Sequence, residues 1–282
     1  MASQTFKQML ASTGPDRPRT PMLSREARLT RSMPPVVAEL LEQRRHLSFS
    51  SAMNGTTLEI TGSSGADYIG VSLNVALDSL YVFDGAGTSV PYDDDVVTMI
   101  KIWAGGGNDT VFINRDAFNG NEVQEICLIY GEAGNDSIEA GNLADTVYGG
   151  DGLDSLYGFA GADKMYGGIG NDKLYGGDSD DLLRGEDGDD SLLGEGGADD
   201  AYGGNGYDTI FGGADNDTLG GDGDADCITG DGGNDSMTGG DGNDTIWAGE
   251  GFSDTVDGGA GTDCAKIDPL IDTATGIEGF YP

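Results

Sequence analysis

The chain is poor in histidine, cysteine and basic residues. Its 282 residues include one histidine, three cysteines and fourteen lysines and arginines. Zinc sites are built mainly from imidazole and thiolate ligands, so a repeated zinc site is excluded. Neither a His-Glu-x-x-His nor a Gly-x-Ser-x-Gly motif occurs, and the residues outside the repeats described below are too few for a hydrolase domain. We therefore expect no enzyme activity.

Long apolar runs and positive charge are also scarce. No stretch approaches the eighteen apolar residues of a membrane span, and no run of signal-peptide length follows the N-terminal bases. The chain has 50 Asp and Glu residues and a formal net charge of −36. Residues 1–50 hold eight basic and four acidic residues, so the acid excess lies beyond them. Such a charge repels phosphate backbones, and we expect no transmembrane segment and no nucleic-acid partner.

What the sequence does contain is an unbroken nine-residue register from Gly131 to Trp247. The sixth position is Asp in all thirteen copies, and looser copies extend the register on both sides. The candidate metal ligands are these carboxylates: Asp109, Asp136, Asp145, Asp154, Asp163, Asp172, Asp181, Asp190, Asp199, Asp208, Asp217, Asp226, Asp235, Asp244, Asp254 and Asp263. The eighth position is always apolar: Ile138, Val147, Leu156, Met165, Leu174, Leu183, Leu192, Ala201, Ile210, Leu219, Ile228, Met237 and Ile246.

This spacing predicts the fold class. Nine residues suffice for one glycine turn and one short strand with a single inward side chain, and two repeats make one coil. We therefore expect an all-β chain, a parallel β-roll or right-handed β-helix solenoid. The predicted divisions are a basic disordered leader over 1–50, degenerate coils over 51–130, the nonapeptide roll over 131–266 and a C-terminal cap over 267–282.

The repeated ligand atoms predict the metal. Carboxylate and carbonyl oxygens, without His or Cys at repeating positions, suit a hard cation that tolerates six or more ligands in irregular geometry. That cation is Ca²⁺, because Mg²⁺ requires a stricter octahedron and keeps its waters. We expect multiple Ca²⁺ ions and, without them, a repeat region expanded by its own charge, so that metal binding drives folding.

The repeat also resembles a known family. Copies such as Gly149-Gly150-Asp151-Gly152-Leu153-Asp154-Ser155-Leu156 are similar to the repeats-in-toxin (RTX, haemolysin-type) nonapeptide Gly-Gly-x-Gly-x-Asp-x-U-x. The resemblance implies that each Asp binds an ion alongside carbonyls of its own turn and of the turn two repeats away. Position four departs from glycine at Leu143, Ser179, Asp215 and Asp224. A bulky branched residue tolerates a left-handed turn poorly, so Leu143 predicts the weakest site.

The N-terminal segment has two interpretations. Residues 36–48 could form one short amphipathic helix, whose end resembles the Leu-Glu-x-Arg-x-Leu-Leu-Ser sorting motif of planctomycete surface and secreted proteins. Leu41, Glu42, Arg44, Leu47 and Ser48 match, whereas His46 replaces one Leu. The alternative is a cap over the first coil. Type I export is doubtful, because few residues follow Asp263.

The remaining expectations concern location and partners. Sites made of surface turns usually need millimolar calcium, which favours an extracellular or cell-surface location. Cys227 and Cys264 should lie two strands apart, roughly 10 Å, and should be free thiols. The ninth position is rich in outward aromatics, among them Tyr157, Tyr175 and Phe211. They either stabilise the exposed sheets or bind a cell-surface glycan or protein, which would make the chain an adhesin or a self-associating surface-layer protein.

Overall fold

A computed structural model describes residues 50–74, 79–84, 89–93, 96–113, 125–249 and 251–281. The leader up to residue 49, with its predicted helix over 36–48, lies outside the described residues. Within these ranges all regular structure is β-strand. The strands are, in chain order, β1 (Ser50–Asn54), β2 (Thr57–Thr61), β3 (Tyr68–Asn74), β4 (Ser79–Phe83), β5 (Ser89–Asp93), β6 (Met99–Gly106), β7 (Thr110–Ile113), β8 (Ile126–Ala133), β9 (Ser137–Glu139), β10 (Thr146–Asp151), β11 (Ser155–Ala160), β12 (Lys164–Ile169), β13 (Lys173–Asp178), β14 (Leu182–Asp187), β15 (Ser191–Gly196), β16 (Asp200–Asn205), β17 (Thr209–Ala214), β18 (Thr218–Gly223), β19 (Cys227–Gly232), β20 (Ser236–Gly242), β21 (Thr245–Trp247), β22 (Thr255–Gly261), β23 (Cys264–Lys266), β24 (Thr273–Thr275) and β25 (Gly279–Phe280).

Consecutive strands alternate between two sheets. From β6 to β24 the even-numbered strands form the first sheet, and from β7 to β25 the odd-numbered strands form the second, each pairing in parallel with the strand one coil away. Pairing joins residues eighteen positions apart, as in Tyr148 with Tyr166, which is two repeats. The predicted all-β parallel roll, with two nonapeptides per coil, is therefore confirmed, and it comprises about eight turns.

The first strands depart from this regular pattern. β1 pairs antiparallel with β2, and β3, β4 and β5 form an antiparallel meander at the edge of the second sheet. Leu58, Ile69 and Leu80, which belong to these strands, are fully buried. The antiparallel strands thus extend the same core at the N-terminal end of the two sheets.

The core is the predicted seam of eighth-position side chains. All thirteen, from Ile138 to Ile246, are buried with at most 1% exposure. The inward residues Ile60, Ile102 and Ile129 continue this row of side chains in the earlier coils. One apolar residue per nine gives a narrow core, because the turns contribute glycine and Asp rather than further apolar side chains.

The turns need backbone conformations that favour glycine. In most repeats positions two and four have positive φ, as in Gly168 at 115° and Gly170 at 130°. Nine non-glycine residues of the described chain also adopt positive φ, including Phe159 at 76°. An aromatic side chain is a genuine outlier in this region of φ/ψ space.

Candidate metal centre

The sixth-position carboxylates form two columns, one along each edge where the chain passes from one sheet to the other. In the first column each Asp directly precedes a strand of the second sheet. In the second column each Asp directly precedes a strand of the first sheet. The first column comprises Asp67, Asp109, Asp136, Asp154, Asp172, Asp190, Asp208, Asp226, Asp244 and Asp263. The second comprises Asp145, Asp163, Asp181, Asp199, Asp217, Asp235, Asp254 and Asp272. All sixteen predicted ligands therefore lie at turns.

Each column is also a hydrogen-bonded ladder. The backbone N–H of Asp154 donates to Oδ1 of Asp172 over 2.7 Å, and the same bond recurs from coil to coil. The carboxylates are almost fully buried, with Asp172 and Asp190 at 1% and 3% exposure. From Asp109 onward, one oxygen of each predicted carboxylate thus accepts a hydrogen bond from the preceding coil.

The second oxygen is what a cation would need. In fifteen of the sixteen predicted ligands Oδ2 is buried without a hydrogen-bond partner. Buried polar atoms are nearly always paired, and an orphaned carboxylate oxygen is costly. Fifteen orphaned oxygens in two regular columns indicate that the fold is built around groups that these oxygens bind.

Glycine at position one leaves room beside thirteen of these fifteen oxygens, and alanine stands there before Asp109 and Asp254. A Cβ placed on Gly167 would lie 2.5 Å from Oδ2 of Asp172 and 2.7 Å from the carbonyl oxygen of Gly185 in the next coil. The carboxylate of one turn and the main-chain carbonyl of the next therefore border one small space. A side chain at Gly167 would fill that space, although φ at this position is not in the left-handed region.

The donor set fits calcium. In the described part of the chain no three His, Cys, Asp or Glu side chains converge on one point, so side chains alone do not complete a site, and carbonyl oxygens of the turns border the carboxylates. Ca²⁺ accepts carboxylate and carbonyl oxygens in flexible geometry. The orphaned Oδ2 atoms would hold the ions, alongside turn carbonyls such as that of Gly185.

Burial changes the acidity of these carboxylates. Desolvation, the largest cause, raises the pKa of Asp172 to about 7, against a lowering by the hydrogen bond from Asp154, while nearby carboxylates add repulsion. Burial likewise raises the pKa of Asp163 to about 8 and that of Asp199 to about 6. In the folded protein without cations, the buried Asp carboxyl groups therefore bind protons at a higher pH than exposed ones do.

This raised pKa predicts that metal-free protein is more folded in acid. A carboxyl group with a folded-state pKa above its unfolded value contributes stability that is complete below the unfolded pKa, near 4, and is lost as the pH rises through the folded pKa, from about 6 to about 8. We expect the far-ultraviolet β signal of calcium-stripped protein to be present at pH 4 and absent at pH 8. A metal-free signal that strengthens between pH 4 and pH 8 would contradict this.

Among the sixteen predicted ligands, the turn before Asp145 is the exception. Oδ2 of Asp145 accepts a hydrogen bond from the backbone N–H of Gly141 over 2.8 Å, and Oδ1 accepts one from Cys127 over 2.6 Å. Leu143 is not among the described residues with positive φ, so this turn does not follow the glycine conformation. Both oxygens of Asp145 are already engaged, which supports the prediction that the weakest site lies here.

The structure adds three carboxylates to the predicted set. Asp67 begins the first column by donating its N–H to Asp109, and Glu278 ends it by accepting the N–H of Asp263. Asp272 ends the second column by accepting the N–H of Asp254. Asp272 lies eighteen residues after Asp254, so the repeat length could have identified it. Glu278 stands fifteen residues after Asp263, outside any register.

The outward aromatics form stacked columns. In the first sheet Tyr130 and Tyr148 stack with ring centroids 5.0 Å apart, and Tyr148 and Tyr166 stack at 4.8 Å with planes 9° apart. In the second sheet Tyr157 and Tyr175 stack at 4.8 Å. Each ring covers the face of its neighbour, which supports the stabilising interpretation.

The cysteines are separate from these sites. Cys227 and Cys264 each pair with Thr245, one from either side, so they lie two strands apart in the second sheet. All three cysteines are free thiols. Burial, the largest cause, raises the pKa of the Cys127 thiol, and neighbouring carboxylates raise it further. In the ranges that the structure describes, no helix has the length and apolarity to cross a bilayer.

Stacked glycine turns with buried carboxylates on a parallel β-roll define a class of calcium-binding repeat protein. A family model for the RTX calcium-binding nonapeptide repeat, in four copies, matches residues 101–115, 128–147, 139–174, 166–201, 175–210, 193–228, 221–253 and 229–263. These segments cover more than half of the chain, which belongs to this family and binds calcium. The predicted resemblance is confirmed. No curated protein matches the chain.

Proposed function

We propose that this chain is an extracellular structural module that folds when calcium fills its turns. The observation that carries the proposal is the pair of columns of buried carboxylates, in which fifteen of the predicted ligands leave Oδ2 without a partner. At neutral pH these columns repel themselves without cations, and a core of one apolar residue per repeat cannot offset both that repulsion and the chain entropy. Calcium is therefore part of the folded state rather than a ligand added to it.

The extracellular location follows from the kind of site. Ligands contributed by turns of neighbouring coils are brought together only by folding, and such sites work at the calcium concentrations found outside cells, about 10⁻⁴ to 10⁻³ M for extracellular modules. RTX repeats are typical of secreted bacterial proteins, which supports the same location. In this proposal the chain has no catalytic role and no nucleic-acid partner.

The calcium concentration that folds the chain tests this proposal. We expect titration of the full chain with CaCl₂ from zero to ten millimolar to give a cooperative rise of the far-ultraviolet β signal, with a midpoint on the order of 10⁻⁴ to 10⁻³ M. MgCl₂ is the control and should give no transition over the same range. A midpoint far below 10⁻⁵ M, or an equal response to magnesium, would argue against an extracellular calcium module.

A second candidate is an adhesin or self-associating surface-layer protein that binds a glycan or protein. It is favoured by Phe211 and Trp247, whose side chains are 38% and 49% exposed on the second sheet. Replacing Tyr157, Tyr175 and Phe211 by Ser separates the two roles of the aromatics. We expect folding at a higher calcium concentration, because a stacked pair contributes about 0.5–1.5 kcal/mol. Unchanged folding with loss of self-association in sedimentation would favour the adhesive role.

A further inference from the structure

Five tyrosines on the outer faces of the sheets each stack on another tyrosine one coil away. In the first sheet Tyr130, Tyr148 and Tyr166 follow one another in register on β8, β10 and β12. In the second sheet Tyr157 and Tyr175 pair on β11 and β13. The ring centroids are 4.8 to 5.0 Å apart, and the ring planes lie within 9° of parallel. Phenol rings eighteen residues apart in the chain are therefore held face to face.

The hydroxyl groups of these rings take no part in that packing. In the part of the chain that the structure describes, none of the five makes a hydrogen bond within the protein, whereas the Tyr92 hydroxyl donates to Ser51. The stacking attraction comes from the ring, so phenylalanine would stabilise the sheets equally well. All five side chains are half-buried and keep part of their surface in solvent. These phenols are therefore accessible to a chemistry in which phenylalanine could not replace them.

We propose that the stacked tyrosines are an oxidative modification site, where dityrosine bonds join neighbouring coils. The oxidant is hydrogen peroxide, used by a haem peroxidase. Each phenol loses one electron and its hydroxyl proton, and the two resulting radicals form a carbon–carbon bond between ring carbons ortho to the oxygens. The hydrogens of those two carbons then move to the oxygens and restore both phenols. The two electrons and two protons removed convert one molecule of peroxide into two of water.

The stack determines which rings couple. Burial, the largest cause, raises the pKa of Tyr148, and the neighbouring phenols raise it further. Tyr148 is therefore a neutral phenol at physiological pH, and once oxidised it has a tyrosine on either side. Tyr202 belongs to the same outward column, but its neighbours are Arg184 and Gly220. A radical at Tyr202 has no adjacent tyrosine with which to couple.

The new bond would connect the coils independently of calcium. One dityrosine joins residues eighteen positions apart and closes a loop of a single coil. The side chains lie on the outer faces, so the two rings can turn toward each other without disturbing the core. A covalent link across such a loop restricts the unfolded chain, as a disulfide does. The oxidised chain should therefore fold at a lower calcium concentration than the untreated chain.

Phenylalanine variants remove the reaction and keep the stacks. Tyr130→Phe, Tyr166→Phe and Tyr175→Phe, combined in one chain, leave no two of these tyrosines stacked on each other. Every ring is retained, so this triple variant should fold like the natural chain. Tyr202→Phe is the matched control, because it removes one phenol of the same column that has no tyrosine on the strands beside it.

The test is treatment of the dilute full chain in ten millimolar CaCl₂ with a haem peroxidase and limiting hydrogen peroxide, followed by proteolysis and mass spectrometry. We expect pairs of peptides that are linked through tyrosines stacked in the structure and that have lost two hydrogen atoms. The blue fluorescence of dityrosine should appear with them. Both signals should be lost in the triple variant and unchanged in Tyr202→Phe. Chain treated with a chelator at pH 8 before oxidation should lose this selectivity.

A calcium titration followed by circular dichroism completes the test. The folding midpoint of the oxidised chain should shift to lower calcium, and the same treatment should not shift that of the triple variant. The proposal is overturned if the folded chain gives no linked peptides, if the links form through Tyr202 or the exposed Tyr207 instead, or if the midpoint does not move. Because the stacks rest on the calcium-bound fold, a chain without β signal in calcium would overturn both proposals, whereas a folded chain without links overturns only this one.

Discussion

Removing calcium is expected to convert the solenoid into an expanded, largely unfolded chain at neutral pH. Asp154, Asp172 and Asp190 succeed one another in adjacent coils of one edge, about 5 Å apart per strand, and their Oδ2 atoms have no protein partner. Burial favours protons on these carboxylates, but protons are scarce at pH 8. Electrostatic repulsion and unpaired buried oxygens should therefore unfold the repeats together.

Small-angle scattering and circular dichroism measure this expansion. After addition of a chelator at pH 8, we expect loss of the β signal and a radius of gyration that rises toward the value for an unfolded chain of this length, on the order of 60 Å. One molar NaCl without calcium is the control, since it shortens the Debye length to about 3 Å without supplying a ligand. If salt alone keeps the chain folded, the turns require screening and not coordinated calcium.

The nine-residue period was sufficient to predict most of the roll. It located the buried column from Ile138 to Ile246 and placed every predicted carboxylate at a turn, because a short strand and a tight turn leave little freedom within nine residues. It was insufficient for the first coils. Apart from the looser copy that ends at Asp67, β1 to β5 contain no such period, and their antiparallel pairing depends on packing around Leu58 and Leu80 that no local spacing encodes.

The double use of each carboxylate could not be inferred from the sequence either. A column of Asp residues predicts oxygen ligands, but not that Oδ1 of Asp172 accepts the N–H of Asp154 in the preceding coil. This bond explains why Asp suits the position better than Glu. A short side chain reaches the amide one coil away with one oxygen while the other stays beside the position-one glycine. The same side chain joins the coils and binds the cation.

This double role predicts a large loss on replacing Asp172 by Ala. The backbone N–H of Asp154 would be buried without an acceptor, which costs about 1–3 kcal/mol. Loss of one calcium ion would remove a further contribution of about 2.7 kcal/mol at a calcium concentration one hundred times the dissociation constant. We expect the calcium midpoint of folding to rise and calorimetry to show at least one fewer bound ion per chain.

Asp145→Ala is the matched comparison, because it removes the same side chain from a turn where both oxygens are already hydrogen-bonded. Gly141 and Cys127 would lose their acceptor, so the folded state should be destabilised through two unpaired amides. The number of bound calcium ions should nevertheless stay unchanged. An equal loss of bound calcium in both variants would show that the Leu143 turn binds calcium like the others. The hydrogen bond from Gly141 to Oδ2 of Asp145 would then be broken when the metal binds. A loss confined to Asp172→Ala would establish that the orphaned Oδ2, rather than the carboxylate as such, marks a calcium site in this solenoid.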